Sequence, residues 1–489
     1  MIKIEDYWNN HVWLRVTIYI LTITTVVVPF GICLAAQPIF CDSAFYLAIG
    51  ERISDGYKLY SDVRCGYTPL WLYIEVAVKS IFHVPMGCYW PYLVVYDLFY
   101  FGVGFILYKM LMLFTANRSI SLFCTWLFFP LAFWQQAYGI LLEIPSVFFG
   151  LLSCYLVLIF QKKHYLHYLW IGVISCFSFL TKQYGAGFVA LAIFLMLYKM
   201  NRPIKQMIAL LVGYILPIIM CFCIWKSDFL CVLTNGYGTT SAVDAGRDIS
   251  VLSKIGDIAR NLWRYCGDAC PALVAGLFCV PNSKKQGRLG YIMFAILAIL
   301  GFSLQYYFNA ERHYRIYFVP FSCLLVAEML MTNTRTWLTW CKNLTIAWTV
   351  GASLFNTYSR LNFWGEDFPP SMLKAQAQQI NQIVDKGDRL WVVQDVYYGF
   401  VFTTHTIVPN MSTLGYSFGA LGLNPQAAMQ QARDAEWVVF NPSIVKSHYY
   451  VTDSLKNYIC QHASVLIDEN DDVRLYHMTA PLNTPEQGL

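Results

Sequence analysis

Isolated ionisable residues next to long apolar runs fall at four places in this chain. Asp42 follows the first apolar run. Glu143 sits in Tyr138-Gly-Ile-Leu-Leu-Glu-Ile-Pro145, and Lys182 in Leu180-Thr-Lys-Gln-Tyr-Gly185. The run Glu311-Arg312-His313-Tyr314-Arg315 stands just ahead of the apolar segment that begins Ile316-Tyr-Phe-Val-Pro320. Ionisable groups at membrane depth are costly and mark functional sites by default. Each has a structural alternative when taken alone. Asp42 could cap a helix, Lys182 could snorkel, Glu143 could serve only as its partner, and Arg312 and Arg315 could be an ordinary flank. Together they suit one chemistry, glycosyl transfer from a lipid-linked sugar phosphate. Such a reaction needs a carboxylate to take a proton from the acceptor and a cation cluster to hold the phosphate. Phosphate already leaves well, so the paired carboxylates of glycoside hydrolysis are not required.

The elements that must position these residues are membrane helices. Hydrophobic residues make up 57% of the chain and charged residues only 13%, where a soluble domain carries roughly 25% charge. An apolar run spans 16–36, and further spanning segments are expected near 90–112, 119–136, 144–161, 167–181, 184–199, 206–225, 269–282, 289–308, 314–331 and 336–355. That makes about eleven crossings, with Leu70–Phe82 left in the interface because Glu75 and Lys79 interrupt it. Charge placement agrees with a cytoplasmic start. Lys109/Arg118, Lys162/Lys163, Lys199/Arg202/Lys205, Lys284/Lys285/Arg288 and Arg335/Lys342 fall on the inner side. Asp42, Glu51, Asp55, Asp62, Glu143, Asp228, Asp244, Asp248 and Glu311 fall on the outer side, which is the positive-inside pattern.

The stretch Pro38–Trp71 is oddly built for a connection. Phe45, Tyr46, Ile49 and Ile53 recur at helical spacing and give a short helix with one apolar face. Asp55-Gly56 closes it, and Tyr67-Thr68-Pro69-Leu70 opens a second apolar piece at Leu70. The segment 226–268 reads as an outer loop that could cover the site. Sixteen cysteines lie mostly within apolar runs, where they act as small hydrophobes; Cys41–Cys65 and Cys266–Cys270 are the pairs that could cross-link. Beyond about residue 355 the composition changes to alternating helices and strands: helices at 370–384, 424–434 and 451–461, and strands at 390–393, 437–440, 464–467 and 473–477. The expected division is a transmembrane domain over 1–355 and an extracytoplasmic α/β domain over 356–489. No glycine-rich phosphate loop and no zinc-spaced cysteines are present in the sequence, and no nucleic-acid partner is expected.

Residues 10–330 resemble the GT-C class of polyprenyl-phosphate-sugar-dependent glycosyltransferases, in particular the protein O-mannosyltransferase and lipid A aminoarabinose transferase branch. The resemblance rests on Asp42 with Tyr46, Gly56 through Tyr60, Pro69-Leu70, Glu143 with Pro145, Lys182, and His313, Tyr314 and Pro320. It implies that Asp42, the carboxylate of the first outer loop, is the catalytic base, and that Glu143 is the second acidic residue. Two departures stand out: Asp42-Ser43 replaces the acidic pair often seen in the family, and Thr68-Pro69 replaces a double proline. The missing second acid weakens any claim to a metal and leaves the acceptor class open. The expectation is therefore an inverting, integral-membrane glycosyltransferase of the cytoplasmic membrane with no cofactor, a divalent metal remaining open. Its partners would be membrane lipids, a polyprenyl-phosphate-linked sugar donor, and a glycan, lipid or protein acceptor. Asp42 and Glu143 would be catalytic, Lys182, Arg312, His313 and Arg315 would hold the phosphate, and Tyr46 and Arg64 would assist in substrate binding. The rival is a transporter or flippase of a lipid-linked saccharide, although transporters are commonly built of repeated halves and no repeat is evident. A third reading makes the membrane part a scaffold for the C-terminal domain.

Overall fold

The computed structural model describes residues 16, 19–37, 41–63, 65–85, 88–161, 164–235, 251–269, 288–307, 312–331, 336–360, 370–385, 388–392, 425–439, 452–467 and 475–478. The chain is a polytopic α-helical membrane protein. Among the described residues four helical stretches are long and apolar enough to cross a bilayer: Tyr19–Ala36, Trp90–Thr115, Ile204–Leu230 and Arg312–Met331. Shorter apolar helices stand between them, at Arg118–Trp134, Glu143–Ile159, Tyr165–Thr181, Gln183–Lys199 and Leu289–Ser303. Most of the expected span at 269–282 lies outside the described residues. Thr336–Arg360 is helical throughout but less apolar than the rest.

In chain order the helices are α1 (Tyr19–Ala36), α2 (Cys41–Ser54), α3 (Leu70–Phe82), α4 (Trp90–Thr115), α5 (Arg118–Trp134), α6 (Glu143–Ile159), α7 (Tyr165–Thr181), α8 (Gly187–Lys199), α9 (Ile204–Asn235), α10 (Val251–Ala269), α11 (Leu289–Ser303), α12 (Val319–Met331) and α13 (Thr336–Arg360). The chain packs into two compact units. One holds Met1–Gln37, Leu93–Met220 and Ser250–Gly365; the other holds Pro38–Tyr92, Cys221–Ile249 and Glu366–Leu489.

In the first unit α6 packs on α7 and α8, α5 on α12 and α13, and α11 on α8 and α12. Lipid supplies no hydrophobic drive between helices, so close approach depends on small residues. Gly172 of α7 and Gly213 of α9 show this reciprocally. A Cβ on Gly172 would lie 2.0 Å from the Leu210 carbonyl oxygen, and one on Gly213 would lie 1.9 Å from that of Leu169. Asn117 starts α5 by accepting a hydrogen bond from the Ile120 amide at 3.0 Å, which satisfies one of the helix's orphan donors. Trp126 of α5 donates its indole N–H to Thr25 of α1 at 3.0 Å, tying the first span into the bundle.

In the second unit α2 and α3 pack together, with Gly56 at φ 98° ending the turn after α2. The expected one-faced helix is buried more widely than its apolar spacing suggests. Phe45 through Ile49 and Glu51 are buried, because Tyr67 covers Phe45 and Tyr46 while Lys79 and Tyr92 reach Glu51. Cys65 is a free thiol buried against the Tyr67 carbonyl, and burial pushes its pKa up to about 12; the Cys41–Cys65 cross-link is therefore absent. Cys270 lies outside the described residues.

The expected loop over 226–268 is also more structured than its composition suggests. Helix α9 continues to Asn235 across a break at Lys226 (φ 49°), and α10 occupies the end of the segment. Helix α10 is turned with its polar side inward. Lys254 and Asn261 are buried while Leu252 and Trp263 are 82% and 79% exposed.

The second unit also contains α14 (Pro370–Ile383), β1 (Leu390–Val392), α15 (Pro425–Asp434), β2 (Trp437–Val439), α16 (Asp453–His462), β3 (Ala463–Ile467) and β4 (Leu475–Met478). The strands form one sheet in the order β1-β2-β4-β3, with β1 and β2 parallel and the other pairs antiparallel. Trp391, Val438, Val439, Leu475 and Tyr476 are buried in it, as are Ile380, Ala432, Leu455 and Ile459 from the helices.

Candidate active site

In the first unit a hydroxyl network lies one helical turn from the charged residues and fixes where they stand. Ser146 of α6 and Ser178 of α7 exchange bonds: Ser178 Oγ donates to the Ser146 carbonyl at 2.7 Å, and Ser146 Oγ donates to that of Ser178 at 3.0 Å. Tyr317 adds its hydroxyl to Ser146 Oγ at 2.8 Å. Glu143 stands one turn before Ser146 in α6, Lys182 is the extended residue that ends α7 four positions past Ser178, and His313 lies four positions before Tyr317 in the 3-10 segment Arg312–Phe318. Gly185 leaves room for this packing, since a Cβ there would lie 2.3 Å from the Ser178 carbonyl oxygen. The backbone holds Lys182 through its amide to Ser178 and through Gly185 N–H to its own carbonyl at 2.8 Å.

The charges then meet. Glu143 is fully buried, and its Oε1 accepts from Lys182 Nζ and lies 3.5 Å from His313 Nε2. Its Oε2 is buried with no hydrogen-bond partner. Lys182 also lies 4.8 Å from the centre of the Tyr314 ring, and Arg312 stacks its guanidinium 3.8 Å from the Trp134 ring; both are cation–π contacts. Arg315 donates to Asn261 Oδ1 of α10 at 3.4 Å. Of the expected residues, Glu143, Lys182 and His313 meet, and Arg312 and Arg315 lie in the same unit. Three groups were not singled out from the sequence: Trp134, the Ser146/Ser178/Tyr317 network, and Asn261. Ser146 follows Glu143 at helical spacing, a signal that could have found it; Asn261 lies in a segment that read as loop.

Asp42, Tyr46 and Arg64 belong to the second unit. Asp42 is half-buried in the first turn of α2. It therefore stands within the helix rather than at its N-cap, where a carboxylate still suits the positive end of the helix dipole. Tyr46 is fully buried with its ring 5.0 Å from that of Tyr67, edge to face. Arg64 lies outside the described residues. A second set of charges surrounds these helices. Lys79 pairs with Glu51, and Tyr92 donates to the same carboxyl at 3.4 Å. Burial lifts the Glu51 pKa above the ordinary range against the pull of Lys79. Burial raises that of Glu75 further, although Trp71 donates its indole N–H to it at 2.7 Å. Among the described residues no three metal-ligating side chains gather.

No protein-family profile matches the chain, and no curated protein matches it in sequence. Solved structures do match in fold. ArnT from Cupriavidus metallidurans bound to undecaprenyl phosphate superposes with a TM-score of 0.62 at 12% identity, covering 96% of this chain and 99% of that one. Its apo form gives 0.62 and 12% over 97% and 100%. The Archaeoglobus fulgidus oligosaccharyltransferase in its apo form gives 0.46 and 10% over 89% and 70%. The helix order and the end-to-end match with ArnT show a shared multispanning fold. This chain has the GT-C glycosyltransferase fold.

Proposed function

We propose that this protein transfers a sugar from a polyprenyl monophosphate carrier to a glycan, lipid or protein acceptor on the outer side of the cytoplasmic membrane. The C-terminal α/β elements lie on that same side. The observation that carries the reading is the buried contact of Glu143 with Lys182 and His313, with Arg312 stacked on Trp134 and Arg315 on Asn261 in the same unit, within a GT-C fold. ArnT, which shares that fold, is solved with undecaprenyl phosphate bound.

The step is an inverting displacement. Asp42 takes the proton from the acceptor hydroxyl, the acceptor oxygen bonds to C1 of the sugar, and the C1–O bond to phosphate breaks. Its electron pair goes to the phosphate oxygen, so the departing lipid phosphate gains one negative charge. A cation cluster binds that developing charge more tightly than it binds the donor, and this difference is what accelerates the reaction. Glu143 has one oxygen committed to Lys182 and His313, which suits orienting the acceptor or sugar rather than taking a proton.

Mass spectrometry of lipids and surface glycans from cells with and without the protein tests the reading. Its loss is expected to leave donor lipid unused and one glycan, lipid or protein short of a sugar. Unchanged profiles under conditions where the protein is made would overturn it.

A further inference from the structure

Gln135 stands on the connection that leads from Trp134, under the Arg312 guanidinium, to Glu143. Its side chain is fully buried, and neither the amide oxygen nor the amide nitrogen has a hydrogen-bond partner. The chain around it is pinned. The Gln135 and Ala137 amides both donate to the Ala132 carbonyl, at 2.9 and 3.2 Å, and Gln136 adopts φ 74°. Tyr96 donates its hydroxyl to the Ala137 carbonyl at 3.2 Å, and the Tyr138 ring packs 5.2 Å from that of Phe133. An amide held there without partners destabilises the fold more than an apolar side chain of similar size would. At the far end of the same connection Glu143 Oε2 is likewise buried and unmet. Unmet buried donors and acceptors in such a site call for a ligand that offers both, as a pair of sugar hydroxyls does.

We infer that Gln135 is a specificity residue that reads hydroxyl groups of the donor sugar, its amide donating to one and accepting from another. The inference rests on the transferase reading and adds the substrate class: a neutral, hydroxyl-rich hexose or pentose. An amino sugar fits worse. Lys182, Arg312 and Arg315 outnumber Glu143, the only carboxylate of this group among the described residues, so an added ammonium is repelled.

The test uses the purified full chain, wild type and Gln135→Leu, with Gln135→Met as a second apolar variant. Binding is measured to a panel of polyprenyl-phosphate hexoses and pentoses, a 4-amino pentose analogue, and polyprenyl phosphate without sugar. Thermal unfolding of the ligand-free proteins is recorded alongside. The variants should unfold at a higher temperature than wild type, because an unmet amide is gone. They should bind the preferred sugar lipid about tenfold or more weakly, two hydrogen bonds being lost. Binding of sugar-free polyprenyl phosphate should be unchanged. A lower unfolding temperature in both variants would show an amide satisfied by buried water and overturn the inference. Equal weakening toward sugar-bearing and sugar-free lipid, undiminished sugar binding, or wild-type preference for the amino pentose would also overturn it. If wild type bound neither kind of lipid, the transferase reading itself would fail, a result distinct from the others.

Discussion

Glu143 and Asp42 are the two carboxylates that the sequence marks out, and their surroundings are opposite. Glu143 is fully buried, bridged by Lys182 and His313, and held by a hydroxyl network one turn away. Asp42 is half-buried in the first turn of a short helix in the other unit. A base must be able to accept a proton and lose it again. Glu143 Oε1 is already engaged by Lys182 and His313, whereas Asp42 is half-buried at a helix start. The contrast suits the proposed division of roles, placement at Glu143 and proton transfer at Asp42.

The largest expected effect comes from breaking the committed pair. Lys182→Met leaves Glu143 as a buried charge with one partner removed, which costs about 3–5 kcal/mol. Thermal unfolding in detergent should show a large fall. The double variant Lys182→Met/Glu143→Leu should recover much of that loss, as buried ion pairs replaced by apolar groups often do. If the double variant were as unstable as the single one, the pair would not be the self-contained unit described here. A smaller effect is expected at Arg315, which is buried against Asn261. Arg315→Ala should weaken binding of polyprenyl phosphate by about 1.5–3 kcal/mol, with a smaller fall in unfolding temperature than Lys182→Met. Unaltered affinity in this variant and in one that also lacks Arg312 would make the arginines an ordinary membrane flank.

The smallest effect sharpens the other side of the comparison. Burial raises the Glu75 pKa well above 4.5. The folded state therefore favours the protonated acid. That stabilisation is fully present below about pH 4.5 and is lost as pH rises through the folded value. Glu75→Gln should flatten this decline of stability with rising pH and leave sugar transfer intact. An unchanged pH profile of unfolding would show that Glu75 is not the titrating group.

Much of the architecture could be read from the sequence because it rests on local signals. The helix at Leu70–Phe82 follows from Thr68-Pro69 and the apolar run behind it, and the C-terminal alternation of helix and strand follows from short β-branched runs between polar helices. The convergence of Glu143, Lys182 and His313 was legible because isolated charges in apolar sequence have few places to go. Other features were decided by contacts distant in sequence. Helix α2 spaces its apolar residues as a surface helix does, yet Tyr67, Lys79 and Tyr92 bury it further. Helix α10 reads as a polar connection because its polar face, with Lys254 and Asn261, is the inward one. Gln135 looks like an ordinary helix-end residue, since nothing local says that its amide will be enclosed.

The assignment of proton transfer to Asp42 is tested most directly by sugar transfer from purified donor lipid, comparing wild type with Asp42→Asn at matched folded protein. Asparagine keeps the size of the side chain and removes the proton acceptor. The division of labour predicts a fall in turnover of roughly 100-fold or more, with donor-lipid binding and unfolding temperature essentially unchanged. An Asp42→Asn protein that folds, binds donor and transfers sugar at the wild-type rate would contradict it.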